Sequence, residues 1–164
     1  MSTALQLRRG TTAQHASFTG ALGEVSVDTD KKVTVVHDGS TAGGTPSVGL
    51  AVAQTFTKAQ RGAISALTDG ATITPDFSLG NLYSVTLGGN RTLANPTNLT
   101  AGQSGSIFVT QDGTGSRTLA YGSYWDFIGG TAPTLSTAAG AVDRIDYVVR
   151  TTGSIHAVFT ANYS

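Results

Sequence analysis

Apolar and polar residues alternate along several short stretches of the chain, which is the pattern of half-buried β-strands. In ALQLRRG, Leu5 and Leu7 alternate with polar residues and predict a first strand. TTAQHASF follows and predicts a single helical turn, with Thr11 or Thr12 as its N-cap. Two pairs of valines then flank an aspartate-rich turn and predict a hairpin with one apolar face. These pairs are Val25 and Val27 before the turn, and Val33 and Val35 after it.

Five more strands are predicted in the second half of the chain, at residues 82–88, 105–111, 117–122, 142–150 and 154–161. Short glycine-containing segments separate them. QDGTGSR, at 111–117, predicts a hairpin, and TTG predicts another between the last two strands. Because turns rather than helices join these strands, we expect a β-sandwich or jelly-roll-like domain.

One segment has the periodicity of a helix. AVAQTFTKAQRGAISAL, at 51–67, places Phe56 and Ile64 near one face and predicts a short helical connector. The segment HDGSTAGGTPSVG before it contains four glycines and a proline, so we expect no regular element there. The predicted chain is therefore all-β outside this connector, with a module over 1–50, the connector over 51–67 and a domain over 68–164.

Composition limits the partners of the chain. Its 164 residues include ten basic and ten acidic side chains, and only 12% of the residues are charged. Nucleic acids and anionic membranes select basic surfaces, so we expect neither as a partner. A surface covered by hydroxyl and amide groups suits a chain that is packed into an assembly. Without cysteine, a module of about fifty residues has no covalent staple, and oligomerisation is the remaining way to stabilise it.

No targeting segment is predicted. The N-terminus has no apolar stretch before a cleavage site, and no run of apolar residues is long enough to cross a membrane. We therefore expect synthesis in the cytoplasm of the host cell and no membrane insertion.

The first turn imitates the beginning of a calcium-binding loop through Asp28 and Asp30. An EF-hand loop that started at Asp28 would need a glycine at its sixth position and an acid at its twelfth. Those positions hold Val33 and Gly39. We therefore expect the two aspartates to bind local backbone amides, as turn residues do.

Other catalytic and metal-binding patterns are missing from the sequence. The three histidines are His15, His37 and His156, and their spacing is not that of metal ligands. We interpret them as polar strand or loop residues. The alternative is that histidines on a trimer axis bind an ion. No nucleophile elbow or phosphate-binding loop occurs. A glycan-degrading enzyme would need two facing acids. The candidates are Asp76, Asp112, Asp126, Asp143 and Asp146. We predict no enzyme, no cofactor and no metal site.

The segment RTLAYGSYWDF is the strongest binding candidate. Aromatic side chains can stack on sugar rings while charged groups bind hydroxyls. The candidate glycan-binding residues are Arg117, Tyr121, Tyr124, Trp125 and Asp126. The alternative is that Trp125 fills the domain core and the tyrosines direct their hydroxyl groups to its rim.

The first 46 residues resemble the N-terminal region of the major tropism determinant family, which comprises phage receptor-binding proteins. RGTTAQHASFTG and VDTDKKVTVVHDG carry this resemblance. It implies a small β-prism around a three-fold axis that assembles a trimer near its attachment to the virion. The C-type lectin domain of that family has no counterpart here, so its receptor chemistry is not implied. TFTKAQRGAISAL, VTLGGNRTLANPTNLTAGQSGSI and TLAYGSYWDF resemble a module of phage fibre proteins.

These observations predict a phage virion protein, assembled in the bacterial cytoplasm. We expect a homotrimeric short fibre, spike or decoration subunit that contacts other capsid or tail proteins and a host surface polysaccharide. The first alternative is a purely structural capsid or tail cement. The second is a glycan-degrading spike enzyme.

Overall fold

The computed structural model describes residues 6–47 and 59–163. The chain divides into two compact units, Met1–Gln60 and Arg61–Ser164. Thirteen strands and one α-helix occur in the described residues, which confirms the all-β class. None of the helices in this part of the chain is long and apolar enough to cross a membrane.

The first unit contains one four-stranded sheet and the α-helix. Its elements are β1 (Arg8–Gly10), α1 (Thr12–Ala16), β2 (Val25–Asp28), β3 (Val33–Val36) and β4 (Thr45–Pro46). The strands lie in the order β1-β2-β3-β4, with β1 parallel to β2 and the other pairs antiparallel. The β2–β3 hairpin was predicted. Strand β4 lies where no regular element was expected, so that prediction was wrong. Leu5, in the predicted first strand, lies outside the described residues.

Helix α1 begins with a complete capping box, in which Thr11 is the N-cap. The Thr11 hydroxyl accepts a hydrogen bond from the Gln14 backbone N–H at 3.2 Å. The Gln14 side chain accepts one from the Thr11 N–H at 2.8 Å. Two amides at the start of the helix are therefore paired without tertiary contacts, which is why the sequence predicted this turn.

The β2–β3 hairpin has apolar residues on both faces, and the prediction of one apolar face was wrong. Its register places Ser26 opposite Val35 and Asp28 opposite Val33, and all four are buried. The remaining valines lie on the opposite face. Val25 pairs with Val36, and their side chains are 36% and 50% exposed. The turn between the strands sets the register, and the register sets the face of every side chain.

The second unit contains a large six-stranded sheet and a small three-stranded sheet. In chain order its strands are β5 (Ile64–Ala66), β6 (Thr72–Ile73), β7 (Leu82–Leu87), β8 (Arg91–Leu93), β9 (Ser104–Gln111), β10 (Leu119–Tyr121), β11 (Trp125–Phe127), β12 (Val142–Thr151) and β13 (Ser154–Thr160). The large sheet has the order β11-β13-β12-β9-β7-β5, and the small sheet has the order β10-β8-β6. The five strands predicted for this region are present, and the last two form the predicted hairpin.

The chain winds between the two sheets. Strands β5, β7 and β9 are parallel neighbours in the large sheet, and β6, β8 and β10 are parallel neighbours in the small one. Strands β9 and β10 therefore lie in different sheets, and the hairpin predicted at 111–117 was wrong. A jelly roll has antiparallel strands, so the parallel pairs depart from that topology. The strands that the sequence did not reveal are only two or three residues long.

The predicted helical connector is only partly described. Residues 51–58 lie outside the described residues. Ile64–Ala66, at the end of the predicted helix, forms β5, so the helix prediction was wrong there. Pairing with β7 overrides the weak helical pattern of a three-residue segment.

The core of the second unit lies between its two sheets. Tyr83, Ile107 and Ile145 have no exposed surface and extend inward from β7, β9 and β12. The Phe77 ring stacks on Tyr147 with centroids 4.6 Å apart. At Gly105 a Cβ atom would clash with the Asn81 carbonyl oxygen, so glycine is required there.

Candidate functional site

A cleft of about 220 Å³ lies beside the edge strand β11. It brings together three of the five predicted glycan-binding residues. The lining residues are Tyr121, Gly122, Trp125, Asp126, Phe127, Gly130 and Ala132. The cleft thus combines aromatic edges, one carboxylate and small residues.

Trp125 belongs mainly to the core. Its side chain is 7% exposed, and its indole N–H donates to the Ala94 carbonyl oxygen at 3.1 Å. The ring lies edge-on to Phe77 and Tyr147, with centroids 6.4 and 6.3 Å away. The indole therefore packs against aromatic rings of the core, and only part of the side chain lines the cleft.

Tyr121 and Asp126 differ in their access to solvent. The Tyr121 hydroxyl is buried with no hydrogen-bond partner among the described residues. Burial raises its pKa, and the nearby charge of Asp143 raises it further. Asp126 is exposed, and its Oδ2 accepts a hydrogen bond from the Ser154 hydroxyl at 2.7 Å. Asp126 is therefore the lining residue best able to accept hydrogen bonds from a ligand.

Arg117 and Tyr124 do not line this cleft. Arg117 pairs with Asp112, with Nη2 and Nε at 2.8 and 3.0 Å from the same carboxylate oxygen. These bonds, together with the backbone N–H groups of Gly115 and Thr114, hold the pKa of Asp112 at about 2. Tyr124 is partly buried and packs against the core of the second unit. The five candidate residues are close in sequence, but the fold places only three of them at the cleft.

The five acids considered for an enzyme each have a local partner in the fold. Their partners are Ser78 and Asn98 for Asp76, Arg117 for Asp112, Ser154 for Asp126, Ser136 for Asp143, and Arg144 for Asp146. Asp28 accepts hydrogen bonds from the backbone N–H groups of Asp30 and Lys31, as expected of a turn. Among residues 6–47 and 59–163 no group of three His, Cys, Asp or Glu side chains could hold a metal ion.

Two histidines lie in the interior of the first unit, where the sequence had suggested polar strand or loop residues. His15 is 6% exposed and His37 is 1% exposed. The Ser26 hydroxyl lies 2.8 Å from Nε2 of both rings. The only signal for this arrangement was Ser26 between two valines of a strand, and that signal is weak because serine is usually exposed.

The hydrogen-bond partners of His15 and His37 indicate which ring nitrogens carry protons. Nδ1 of His15 is 3.0 Å from the Thr11 carbonyl oxygen, which can only accept, so this nitrogen carries the proton. In the neutral tautomer with this proton, Nε2 of His15 accepts from the Ser26 hydroxyl, and the Ser26 oxygen accepts from Nε2 of His37. Nδ1 of His37 is buried without a partner in the described part of the chain.

A second cleft, of about 420 Å³, lies on the outer face of the large sheet. His156 is exposed there, unlike the other two histidines. Asp126 and Phe127 line both this cleft and the first one, because β11 is an edge strand with one cleft on each side. The lining also includes Ile128, Val148 and Val158.

Comparison with known families identifies the second unit. Residues 73–154, half of the chain, match the family described as "Putative phage tail fibre C-terminal domain". This chain belongs to that phage tail fibre family. Residues 5–41 match the Major tropism determinant N-terminal domain, which confirms the resemblance found in the sequence. The tail fibre relatives place the chain among virion components.

Known relatives extend well beyond this chain. The tail fiber receptor-binding protein of Bordetella phage BPP-1 is 44% identical over 120 residues, which is 70% of this chain and 31% of that relative. The chain therefore spans about a third of the length of that curated relative. A solved Major Tropism Determinant M1 variant is 31% identical, covering 88% of this chain and 37% of that one, with a TM-score of 0.31. The P3c variant is 64% identical over 27% of this chain and 12% of that one, with a TM-score of 0.27.

Proposed function

We propose that this tail fibre protein is a homotrimeric, non-enzymatic attachment subunit. Its first unit assembles the trimer and joins other virion proteins. Its second unit presents a cleft to a host surface polysaccharide. The observation that carries the proposal is the exposed apolar face of the first unit, because an isolated module with this face and so small an apolar interior would gain little from folding alone.

The interior of the first unit is poor in apolar side chains. Among its described residues, only Val33 and Val35 are buried hydrophobic side chains. Four polar side chains are also buried there: His15, Ser26, Asp28 and His37. A buried hydrogen bond contributes roughly 1 kcal/mol net, and burial of one valine about 1.5–3 kcal/mol. These contributions are small beside the entropy lost on ordering some forty residues, at about 1–2 kcal/mol each.

The opposite face of the same sheet supplies the missing apolar contact. Val25 and Val36 are directly paired across β2 and β3 and are partly exposed. Val27 lies on the same face, two residue pairs further along the hairpin, opposite Thr34. A contiguous row of valines on the solvent side of a sheet is typical of an interface. Burying this row against two other copies would stabilise the unit, as the prism resemblance implies.

Light scattering on the full chain tests the trimer. We expect the parent protein to be a trimer at micromolar concentration and Val36→Lys to shift it towards monomer, because a charge in the interface is costly. Leu22→Lys is the matched control, since Leu22 is an 83% exposed apolar residue of the same unit that lies outside the sheet. A monomeric parent protein would refute the trimer.

The cleft beside β11 is the proposed host contact. The Asp126 carboxylate can accept hydrogen bonds from sugar hydroxyls, and the Tyr121 and Phe127 rings, 4.7 Å apart, offer apolar edges. Trp125 supports these residues from the core. Arg117 and Tyr124 have no place in this cleft.

Filling the cleft tests this contact without disturbing the core. Ala132 is exposed and lines the cleft, so Ala132→Trp should block it and lower adsorption to host cells by at least tenfold. Ala101→Trp, at an exposed loop residue outside the cleft, is the control. Normal adsorption of the Ala132→Trp protein would exclude the cleft and favour the purely structural alternative, a capsid or tail cement.

A further inference from the structure

The cleft beside β11 has one acidic side chain in its lining, that of Asp126. Among the described residues, no arginine, lysine or histidine lines this cleft. Asp126 forms no ion pair with a described residue, and its side-chain hydrogen bond comes from the uncharged Ser154 hydroxyl. His156 pairs with Asp126 across β11 and β13, but it lines the second cleft and not this one. The lining of the cleft therefore carries a net negative charge.

A second acidic side chain lies behind the cleft. Asp143 is 1% exposed and lies close enough to the Tyr121 hydroxyl to raise its pKa. The Asp143 carboxylate accepts hydrogen bonds from the Ser136 hydroxyl and from the backbone N–H groups of Ser136 and Asn162, none of which is charged. Arg117, the arginine that the sequence suggested for this site, is held in an ion pair outside the cleft. Both carboxylates therefore oppose the approach of an anion.

The side chains that line the cleft also lack a free hydrogen-bond donor. The Trp125 indole N–H is already bonded to the Ala94 carbonyl oxygen. The Tyr121 hydroxyl is buried. The other lining residues are a phenylalanine, an alanine, two glycines and Asp126, whose carboxylate only accepts. A ligand therefore meets an acceptor in this cleft and no free side-chain donor among the described residues.

We propose that the cleft selects a single sugar ring by its hydrogen-bond donors, hydroxyl or ammonium groups, and rejects acidic sugars. Ionised carboxylate, phosphate and sulfate groups only accept hydrogen bonds. An acidic sugar would bring a like charge to Asp126 and leave its own oxygens without side-chain donors, and both effects oppose binding. The volume of about 220 Å³ is below the roughly 300–1,000 Å³ of pockets for drug-sized ligands, which favours one ring over a chain of sugars. The inference rests on the proposed function and names the class of sugar that the cleft takes.

The sign of the effect of a substitution at Asp126 tests this selection. Asp126→Asn removes the charge and keeps the size of an exposed side chain, so adsorption to host cells should fall about tenfold as a charge-assisted hydrogen bond becomes a neutral one. Asp126→Lys should lower adsorption further, because a donor then meets the donors of the sugar. An acidic ligand would give the opposite result, since both substitutions remove a like charge. Unchanged or increased adsorption of the Asp126→Asn protein would overturn the selection.

Thr100→Lys is the matched control for net charge. Thr100 is an exposed loop residue outside the cleft, and Thr100→Lys changes the net charge by the same amount as Asp126→Asn. Adsorption of the Thr100→Lys protein should equal that of the parent. An equal loss in both variants would show that total charge, and not the cleft, governs adsorption, and it would overturn the selection.

The Ala132→Trp variant separates this inference from the proposed host contact. Normal adsorption of Ala132→Trp would show that the cleft is not the contact, and both proposals would fail. If Ala132→Trp blocks adsorption while Asp126→Asn adsorbs at least as well as the parent, the contact stands and only the selection against acidic sugars fails.

A second measurement changes the sugar instead of the protein. Host surface polysaccharide whose carboxyl groups have been converted to neutral amides should compete for adsorption at least as well as the untreated polysaccharide. A tenfold weaker competition after this treatment would show that the protein binds acidic sugars and would overturn the inference. If neither preparation competes, the polysaccharide is not the ligand, and the proposed function fails as well.

Discussion

The two units bury different kinds of side chain. The second unit encloses a continuous cluster of sixteen buried residues, from Ile73 to Ala157, with stacked aromatic rings at its centre. Among the described residues of the first unit, two valines and a hydrogen-bonded group of polar side chains are buried. An apolar cluster stabilises a fold whatever its partners, whereas a polar interior mainly specifies one arrangement. We therefore expect the second unit to fold alone, and the proposed trimer would supply the apolar contacts that the first unit lacks.

Separating the units should have the largest effect. We expect residues 61–164 alone to unfold cooperatively, because the whole apolar cluster lies within them. We expect the thermal transition of residues 1–60 alone to depend on protein concentration, because that unit would gain its apolar contacts by assembling with other copies. Thermal denaturation followed by circular dichroism measures both. A sharp, concentration-independent transition in the shorter fragment would contradict the comparison.

Truncating Trp125 should be the most damaging single change in the second unit. Trp125→Ala removes contacts with Phe77 and Tyr147 and leaves a cavity, which costs about 3–5 kcal/mol. Urea denaturation of residues 61–164 measures the loss. Ala132→Trp, which alters the same cleft from its exposed side, should change stability far less. A loss below about 1 kcal/mol for Trp125→Ala would show that the indole is not part of the core.

Removing the Ser26 hydroxyl should destabilise the first unit by a smaller amount. Ser26→Ala leaves the imidazole nitrogens of His15 and His37 without their shared partner, which costs about 1–3 kcal/mol. Ser47→Ala is the control, since its hydrogen bond with Thr34 is exposed. The full chain is used, and its first unit is followed by hydrogen exchange. Equal protection in both variants would indicate that the polar group contributes little.

The smallest expected effect concerns Asp112. Its pKa is lowered to about 2, mainly by the Arg117 side chain, so its stabilising contribution is present above the ordinary value of about 4. That contribution is lost as the pH falls through about 2. The melting temperature of Asp112→Asn should lie below that of the parent at pH 7, and the gap should close in this acid range. A gap that closed between pH 5 and 4 would contradict the assigned ion pair.

Local interactions explain what the sequence predicted well. The capping box at Thr11 and Gln14 lies within four residues, and the β12–β13 hairpin turns over a few residues. The strands with long alternating patterns were also found, since alternation reflects burial of one face. By contrast β6, β8 and β11 are too short to show any period.

The candidate site could be predicted only in part. Tyr121, Trp125 and Asp126 lie within six residues of one another and meet at one cleft. Arg117 lies only four residues before Tyr121, but Asp112 holds it in the β9–β10 loop. Ala132 was missed, because an alanine carries no chemical signal until the fold places it at a cleft.

The sequence by itself determined the all-β class, the helix cap, the hairpins at 25–36 and 142–160, and the family of the chain. These depend on local hydrogen bonds, on the period of two, and on shared motifs. Only the tertiary structure decided which face each valine of the first hairpin occupies and which strands lie in which sheet. Those choices depend on register and on contacts between distant residues. A shift of one residue reverses every face without changing the pattern of residues that the sequence shows.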